Sequence, residues 1–214
     1  LALGYQGGTG SLISMGALRN GLTEEELPDI VERWRAANPA IVQFWYTVEA
    51  AAKEAANTGR RIELWDGRLA FARECDPAND LDFMTIRLPN RRKLYYVKPH
   101  MGVNRFGRPS LCYWGQNQTT KKWEVIETYG GKLTENLTQA VGRDCLAFAL
   151  DNLRRAGYQV VFHVHDEVII ELPTTQDAEV ALDNVVGIMS IVPPWAEGLP
   201  LNAAGWYGDF FTKD

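Results

Sequence analysis

The chain has 214 residues, enough for one or two domains with buried cores. Hydrophobic residues make up 46% of it and charged residues 23%, a globular balance that excludes disordered and fibrous classes. No apolar run approaches the roughly 18 residues of a membrane span, and no basic-then-apolar leader opens the chain. We therefore expect a soluble protein that is not exported.

The net charge of −5 would argue against nucleic-acid binding if it were evenly spread. Residues 87–132, however, contain ten Lys and Arg residues against two acids, Glu124 and Glu127. The middle of the chain is therefore predicted to be a basic segment. The three cysteines, Cys75, Cys112 and Cys145, are odd in number and form no CxxC pair, which favours a reducing cytoplasm over a disulfide framework or a zinc site.

The first quarter of the chain is predicted to be helical. Residues 1–18 resemble the interior of a helix-and-turn element without an N-cap. We therefore expect this sequence to be a piece of a longer polypeptide. Thr23 and Glu26 have the spacing of a capping box, with Thr23 as N-cap of a helix of about three to four turns. A second helix is predicted to begin at Asn38-Pro39 and to stop near Gly59.

The pattern then changes to short β-type runs separated by Gly, Pro, Asn and Asp. Five strands are predicted, at residues 61–65, 83–88, 94–97, 111–114 and 123–128. A long amphipathic helix follows at residues 132–156, with Gly157 as its stop. A tight hairpin is predicted from residues 158–164 and 167–172, then a helix at residues 175–191 and a short strand at residues 199–203.

The hairpin turn carries the most informative chemistry. Alternation along a strand places His163 and His165 on one face and Asp166 at the exposed tip, where a carboxylate can reach a metal ion. Such oxygen ligands suit Mg²⁺, which takes only one or two protein carboxylates. Taken alone, the hairpin is better explained as a polar turn between two buried strands. A hydrolase site built on His163 and His165 is a third interpretation, but only His100 remains as a further histidine.

Three segments read together resemble family A DNA polymerases, the group that includes bacterial DNA polymerase I, and most of all its phage-borne branch. They are Leu-Ala-Leu-Gly-Tyr-Gln-Gly-Gly at residues 1–8, Tyr-Gly-Gly-Lys-Leu-Thr-Glu-Asn-Leu-Thr-Gln at residues 129–139, and Val-His-Asp-Glu-Val at residues 164–168. The resemblance covers nearly the whole chain. It implies that Asp166 binds the catalytic metals, that Glu167 is its neighbour in the site, and that His165 contacts the primer end.

The same resemblance implies which residues contact the incoming nucleotide and the DNA. Tyr5 matches the family's Tyr at the end of the fingers helix that closes on the incoming nucleotide, and Leu1 stands where the family often has Phe or Tyr near the sugar. An aromatic ring is a stacking surface for a base, although Tyr5 is equally explained as a core residue. Arg91 and Arg92 match a hairpin near the template, where arginines suit phosphate oxygens; a solvated turn is the alternative.

Gln139 matches a Gln that contacts the minor groove near the primer terminus, and Arg143 lies one helical turn further on the same face. Minor-groove acceptors are shared by all base pairs, so an amide donor there tests pair shape without reading sequence.

The resemblance implies an α+β fold of the right-hand polymerase type, with an antiparallel palm sheet, its hairpin motif and flanking helices. Residues 1–98 would be the C-terminal part of the fingers, and residues 99–214 the palm. The implied partners are primer–template DNA, dNTPs, two Mg²⁺ ions, and an N-terminal polymerase fragment that carries the second catalytic Asp and the fingers Lys. The isolated chain is accordingly expected to be inactive. The alternatives are a non-catalytic DNA-binding subunit of a split polymerase and, more remotely, a metal-dependent phosphohydrolase.

Overall fold

A computed structural model describes residues 2–104 and 106–212, so the assignment made for Leu1 lies outside the described residues. The chain divides into two compact units, one ending at Thr138 and the other beginning at Gln139. The division falls within one long helix.

The first unit opens with short helical elements. A 3₁₀ helix, Leu3–Tyr5, precedes α1 (Thr9–Ser14), and a second 3₁₀ helix spans Leu18–Asn20. Two longer helices follow, α2 (Leu27–Ala37) and α3 (Pro39–Thr58). The prediction for α3 is confirmed, because Pro39 supplies its first turn and Gly59 ends it in the left-handed conformation, at φ 71°.

The predicted capping of α2 is only half right. The Glu26 carboxylate accepts from the Thr23 backbone N–H at 2.8 Å, as in a capping box, but the Thr23 hydroxyl also donates to this carboxylate, at 2.9 Å. Thr23 therefore caps no helix N–H, and α2 begins at Leu27. Asn38 likewise gives α3 no side-chain cap, because its amide donates back to the Trp34 carbonyl at 2.8 Å.

A six-stranded antiparallel sheet follows, with its strands in chain order from β1 to β6. They are β1 (Ile62–Leu64), β2 (Leu69–Asp76), β3 (Leu81–Arg87), β4 (Lys93–Val103), β5 (Pro109–Gln116) and β6 (Trp123–Thr128). Five of these were predicted. The strand β2 was not predicted, because Ala, Glu and Asp are poor strand formers and hide its alternation.

The core of the first unit lies between the sheet and α3. The helix packs against β2, β3 and β4. Four buried alanines on this face of the helix allow a close approach, and Trp45 beside them is fully buried. From the sheet, Phe71 and Met84 are also fully buried. Each large side chain of this kind contributes about 1.5–3 kcal/mol through burial.

The helix α4 (Gly130–Arg155) contains the division between the units, and Gly157 ends it at φ 87°. The second unit continues with β7 (Val160–Val164), β8 (Glu167–Ile170) and α5 (Ala178–Met189). Asp177 caps α5 by accepting from the backbone N–H groups of Glu179 and Val180, at 3.0 and 3.2 Å. A 3₁₀ helix, Pro194–Ala196, follows.

The strand predicted at residues 199–203 is wrong. No strand forms there, because the segment pairs locally: the Leu201 N–H donates to the Leu199 carbonyl, and the Ala203 N–H donates to the Ser190 hydroxyl at the end of α5. The described residues thus form an antiparallel α+β fold with flanking helices, as predicted. The division into fingers and palm stays a prediction; residues 98 and 99 both lie within β4.

Among residues 2–104 and 106–212, no helix combines the length and the apolar character needed to cross a membrane.

Candidate functional site

The acidic hairpin forms as the sequence predicts. The strands β7 and β8 pair antiparallel, with Val164 opposite Glu167 and His163 opposite Val168. The turn therefore consists of His165 and Asp166 alone. Both turn residues and Glu167 are exposed, so the tip presents two adjacent carboxylates to the surroundings.

The turn is held in an unusual backbone conformation. His165 has φ 52°, in the left-handed region that non-glycine residues seldom occupy. A two-residue hairpin turn requires positive φ at one or both of its positions, which is why glycine or asparagine is common there. Among the described residues, His165 is one of eight non-glycine residues with positive φ, several of them in turns, so its conformation follows from the hairpin turn.

The donor set at the tip fits part of a magnesium site. Carboxylate oxygens are the ligands that Mg²⁺ prefers, and an exposed Asp166 leaves room for water and phosphate ligands. In the described part of the chain, however, no three His, Cys, Asp or Glu side chains are grouped so that they could hold a metal ion. The tip thus fits as one anchor of a metal site. The histidine pair His163 and His165 likewise lacks a third described ligand.

A second candidate surface lies on α4 at the start of the second unit. Gln139 and Arg143 are both exposed and lie one turn apart on the same side of the helix. Gly142 between them is exposed, and a Cβ placed there would meet no atom within 4 Å. This exposed face of the helix is accessible to a nucleic-acid groove or to a phosphate backbone. No hydrogen bond or ion pair between described residues joins Gln139 or Arg143 to the hairpin.

Tyr5 belongs to the first unit, where its segment is fixed through the backbone. The Trp45 Nε1–H donates to the Gly4 carbonyl at 2.8 Å, and the Arg35 guanidinium donates to the Gly7 carbonyl at 3.2 Å. Gln6 then turns the chain at φ 65°. The Tyr5 side chain is half-buried, so both the stacking role and the core role remain consistent with its position.

The contact between the Tyr5 segment and the start of α4 was not predicted from the sequence. The Gly131 N–H donates to Gln6 Oε1 at 2.8 Å, and the Gly130 N–H donates to Glu49 Oε2 at 3.0 Å. Both glycines are buried, and a Cβ at Gly131 would collide with the Tyr5 carbonyl. The two orphan N–H groups at the helix start are thus satisfied by side chains from distant parts of the chain. The adjacent glycines were the only sequence signal for this close approach.

Arg91 and Arg92 lie where they were predicted, in the tight turn between β3 and β4. The Arg91 N–H donates to the Leu88 carbonyl at 2.8 Å, and Arg91 has φ 73°. Asn90 supports the turn by accepting from the Arg92 N–H at 2.9 Å. Both guanidinium side chains are exposed, which fits a phosphate contact and a solvated turn equally well.

Three buried side chains of the fold have raised pKa values. Burial raises the pKa of Tyr96 to about 12, and its hydroxyl accepts from the Asn136 amide at 3.1 Å, which ties β4 to α4. Burial also raises the pKa of the Cys112 and Cys145 thiols, which disfavours their reactive thiolate forms. These three groups therefore support the fold.

An antiparallel sheet with flanking helices and an acidic hairpin is compatible with a palm-like domain. Among known proteins, a DNA polymerase of Bacillus phage SP02 is 46% identical to this chain over 215 aligned residues. The alignment covers the whole of this chain but 32% of that polymerase, so the chain spans about a third of its length. No family model matches the chain, and no solved structure matches it.

Proposed function

We propose that this chain carries out template-directed DNA synthesis as the C-terminal fingers and palm portion of a family A DNA polymerase. The observation that carries the proposal is the exposed Asp166-Glu167 pair at the tip of a two-residue hairpin turn, in a chain 46% identical to a phage DNA polymerase. The reaction transfers a nucleotide from a dNTP to the primer 3′-hydroxyl and releases pyrophosphate.

The hairpin residues take distinct roles. Asp166 would hold the metal ions, and Glu167 and His165 flank it, with His165 toward the primer end. Two Mg²⁺ ions would lower the electrostatic cost of the charge that develops on the attacking 3′-oxygen and on the departing pyrophosphate. Because the tip holds a turn conformation fixed by strand pairing, Asp166 is positioned before substrate arrives.

The remaining residues bind and orient the DNA. Gln139 donates to minor-groove acceptors beside the primer terminus, and Arg143 neutralises a nearby phosphate from the same helix face. Arg91 and Arg92 contact template phosphates from their turn. Tyr5 offers an aromatic surface to the base of the incoming nucleotide or of the template.

The full site requires a second carboxylate from outside the described residues, which contain no three-ligand group. The partner we propose is the rest of the polymerase, which supplies that carboxylate and the cationic residues that grip the triphosphate.

The replacement Asp166→Ala tests this proposal in a polymerase that contains this chain together with the segment that supplies the second carboxylate. We expect nucleotide incorporation to fall about 1,000-fold, because the metal ions that stabilise the negative charge of the transition state lose a protein ligand. Primer–template affinity should be nearly unchanged. Primer extension measures the first quantity, and fluorescence anisotropy of a labelled primer–template measures the second.

The matched control is Asp183→Ala, which removes another exposed carboxylate of the second unit, on α5. It should leave both quantities unchanged. A proportionate loss of binding and synthesis in Asp166→Ala would make Asp166 structural. Full incorporation by that variant would favour a non-catalytic DNA-binding subunit instead.

A further inference from the structure

The six-stranded sheet has an outer side that carries exposed aromatic residues. Tyr95 on β4 is 56% exposed, Trp114 on β5 is 38% exposed and Trp123 on β6 is 61% exposed. Val125 on β6 is also exposed. Large aromatic side chains that are left this accessible on neighbouring strands mark an interaction surface.

Strand pairing places these residues on one side of the sheet. Trp114 lies opposite Val125 on β6, and Gln116 lies opposite Trp123. Directly paired residues point to the same side, as do residues two apart on one strand, so Trp114, Trp123 and Val125 share a side. Val97 lies opposite Trp114 and shares the side of Tyr95, two residues before it. We name these five residues the aromatic platform.

The other side of the sheet is the one that is covered. Tyr96 and Leu111 alternate with the platform residues along β4 and β5 and are buried. The ring of Tyr96 packs edge-on against that of Tyr113, with centroids 4.9 Å apart, and its hydroxyl accepts from Asn136 of α4. On the platform's own side, the smaller residues Thr85 and Cys112 are buried, whereas the rings of Tyr95, Trp114 and Trp123 are exposed.

Basic turns border one end of the platform. The β3–β4 turn carries Arg91, and the β5–β6 turn carries Lys121 and Lys122 directly before Trp123. In a meander these two turns lie at the same end of the sheet. None of the three cations forms an ion pair with a residue that the structure describes. Their charge is available to a ligand.

The acids near the platform are hydrogen-bonded within the protein or lie at the far end of β6. Glu74 on β2 is hydrogen-bonded by Lys93 at 2.6 Å. Glu124 accepts from Asn117 at 2.6 Å and from Thr120 at 3.2 Å, within the β5–β6 turn. Glu127 lies toward the opposite end of β6 from the basic turns. The surface therefore combines flat rings with positive charge along one border.

We infer that the aromatic platform binds single-stranded DNA, the unpaired template ahead of the primer end, through bases stacked on Trp114, Trp123 and Tyr95. Phosphates would lie toward Arg91, Lys121 and Lys122. This inference rests on the proposed function for its choice of DNA. Rings on three neighbouring strands, roughly 4.8 Å apart per strand, match sheet surfaces on which two or three bases stack.

Two physical arguments favour a single strand over other ligands. Duplex DNA keeps its base faces inside the stack, so only unpaired bases can lie on exposed rings. A protein partner would not require clustered cations, whereas the phosphate backbone does. Stacking also tolerates any base sequence, because every base has a π-face. A template strand of arbitrary sequence can therefore pass over the platform.

The inference is tested with the 214-residue chain and a fluorescein-labelled 20-mer of deoxythymidine, by fluorescence anisotropy at low salt. Trp114→Ala/Trp123→Ala should weaken binding by at least about ten-fold, from the loss of two stacking contacts. Trp123→Phe, which keeps a ring, should retain most of the affinity. Lys121→Ala/Lys122→Ala should lower the slope of log affinity against log salt by roughly 1.4.

The matched control is Tyr46→Ala, which removes a Tyr that is 54% exposed on α3, the helix that packs on the covered side of the sheet. Its affinity should equal that of the wild type, and circular dichroism should show unchanged secondary structure in every variant. Wild-type affinity in Trp114→Ala/Trp123→Ala would overturn the inference.

A second measurement uses the polymerase that contains this chain. A primer–template with a 15-nucleotide template overhang should bind more tightly than one with a single-nucleotide overhang, and the double Trp replacement should abolish this gain. Absence of the gain in the wild type would mean that another part of the polymerase covers the platform, and would overturn the inference. Because Asp166→Ala keeps the platform, failure of synthesis and failure of single-strand binding are separable.

Discussion

Gly131 stands where α4 begins against the Tyr5 segment, and its lack of a side chain is a structural requirement. A Cβ there would overlap the Tyr5 carbonyl, which the backbone cannot easily move, since Gly4 and Gly7 on either side are held by hydrogen bonds. We expect Gly131→Ala to destabilise the protein by about 1–3 kcal/mol, the usual cost of overpacking. Urea unfolding followed by circular dichroism measures this change.

Gly142 provides the matched control in the same helix. It is exposed, and a Cβ added there has no neighbour within 4 Å. Because alanine is the better helix former, Gly142→Ala should stabilise the protein by about 0.5–1 kcal/mol. Equal effects of the two replacements would refute the proposed close approach of α4 to Tyr5.

Among the secondary-structure elements, β2, β3 and α3 are joined by one side chain, Arg73. Arg73 on β2 donates from Nε and Nη2 to the two carboxylate oxygens of Asp82 on β3, at 2.9 and 2.8 Å. Its Nη1 donates to the Ala56 carbonyl of α3 at 2.7 Å. These contacts hold the pKa of Asp82 below its usual value, chiefly through the hydrogen bonds from Arg73.

The lowered pKa of Asp82 determines how this residue contributes to the pH dependence of stability. The carboxylate contributes stability above its unfolded pKa of about 3.9, and this contribution is lost as pH falls through the lower folded value. Asp82→Asn should therefore lower the free energy of unfolding at pH 7 by about 1 kcal/mol or less and reduce the loss of stability below pH ~4. Urea titrations at pH 7, 4 and 3 measure both effects. An unchanged acid dependence, equal to that of the control Asp183→Asn, would contradict the assignment.

The elements that the sequence predicts well are those with local causes. Pro39 and Gly59 bound α3, and strong β-branched runs around a two-residue turn produce the acidic hairpin. The exposure of Asp166 and Glu167 could be predicted for the same reason, since it depends only on the turn; their catalytic role stays a prediction.

The features that were missed depend on tertiary partners. The strand β2 is fixed by pairing with β3 and by burial of Phe71, which its own propensities do not reveal. Residues 199–203 have the composition of a strand but pair locally and with Ser190. The aromatic platform was invisible because Trp114 and Trp123 are brought to one side only by the register of β5 and β6.

At the scale of the whole molecule, the described residues contain no group of three possible metal ligands, and the chain spans 32% of the phage polymerase that it matches. We expect the purified 214-residue chain to extend no primer above background, because nucleotidyl transfer requires a second carboxylate for its metal ions. Extension of a labelled primer with all four dNTPs and Mg²⁺ measures this activity.

A segment that carries the second carboxylate, added as a separate chain, should restore extension, and Asp166→Ala should block the restoration. Primer extension by the purified chain alone, at a rate that survives repeated chromatography, would contradict the proposal. DNA binding by the inactive chain is the control that shows it is folded.

The chain-order arrangement of the six-stranded sheet also bears on how the protein forms. Every strand pairs with the strand next to it in sequence, across connections of at most six residues. Contacts between near neighbours require little loop-closure entropy and are associated with faster folding than long-range pairings. The sheet can therefore grow strand by strand as the ribosome releases the chain, and β1 to β5 can pair before the last strand, which carries Trp123, has left the ribosome.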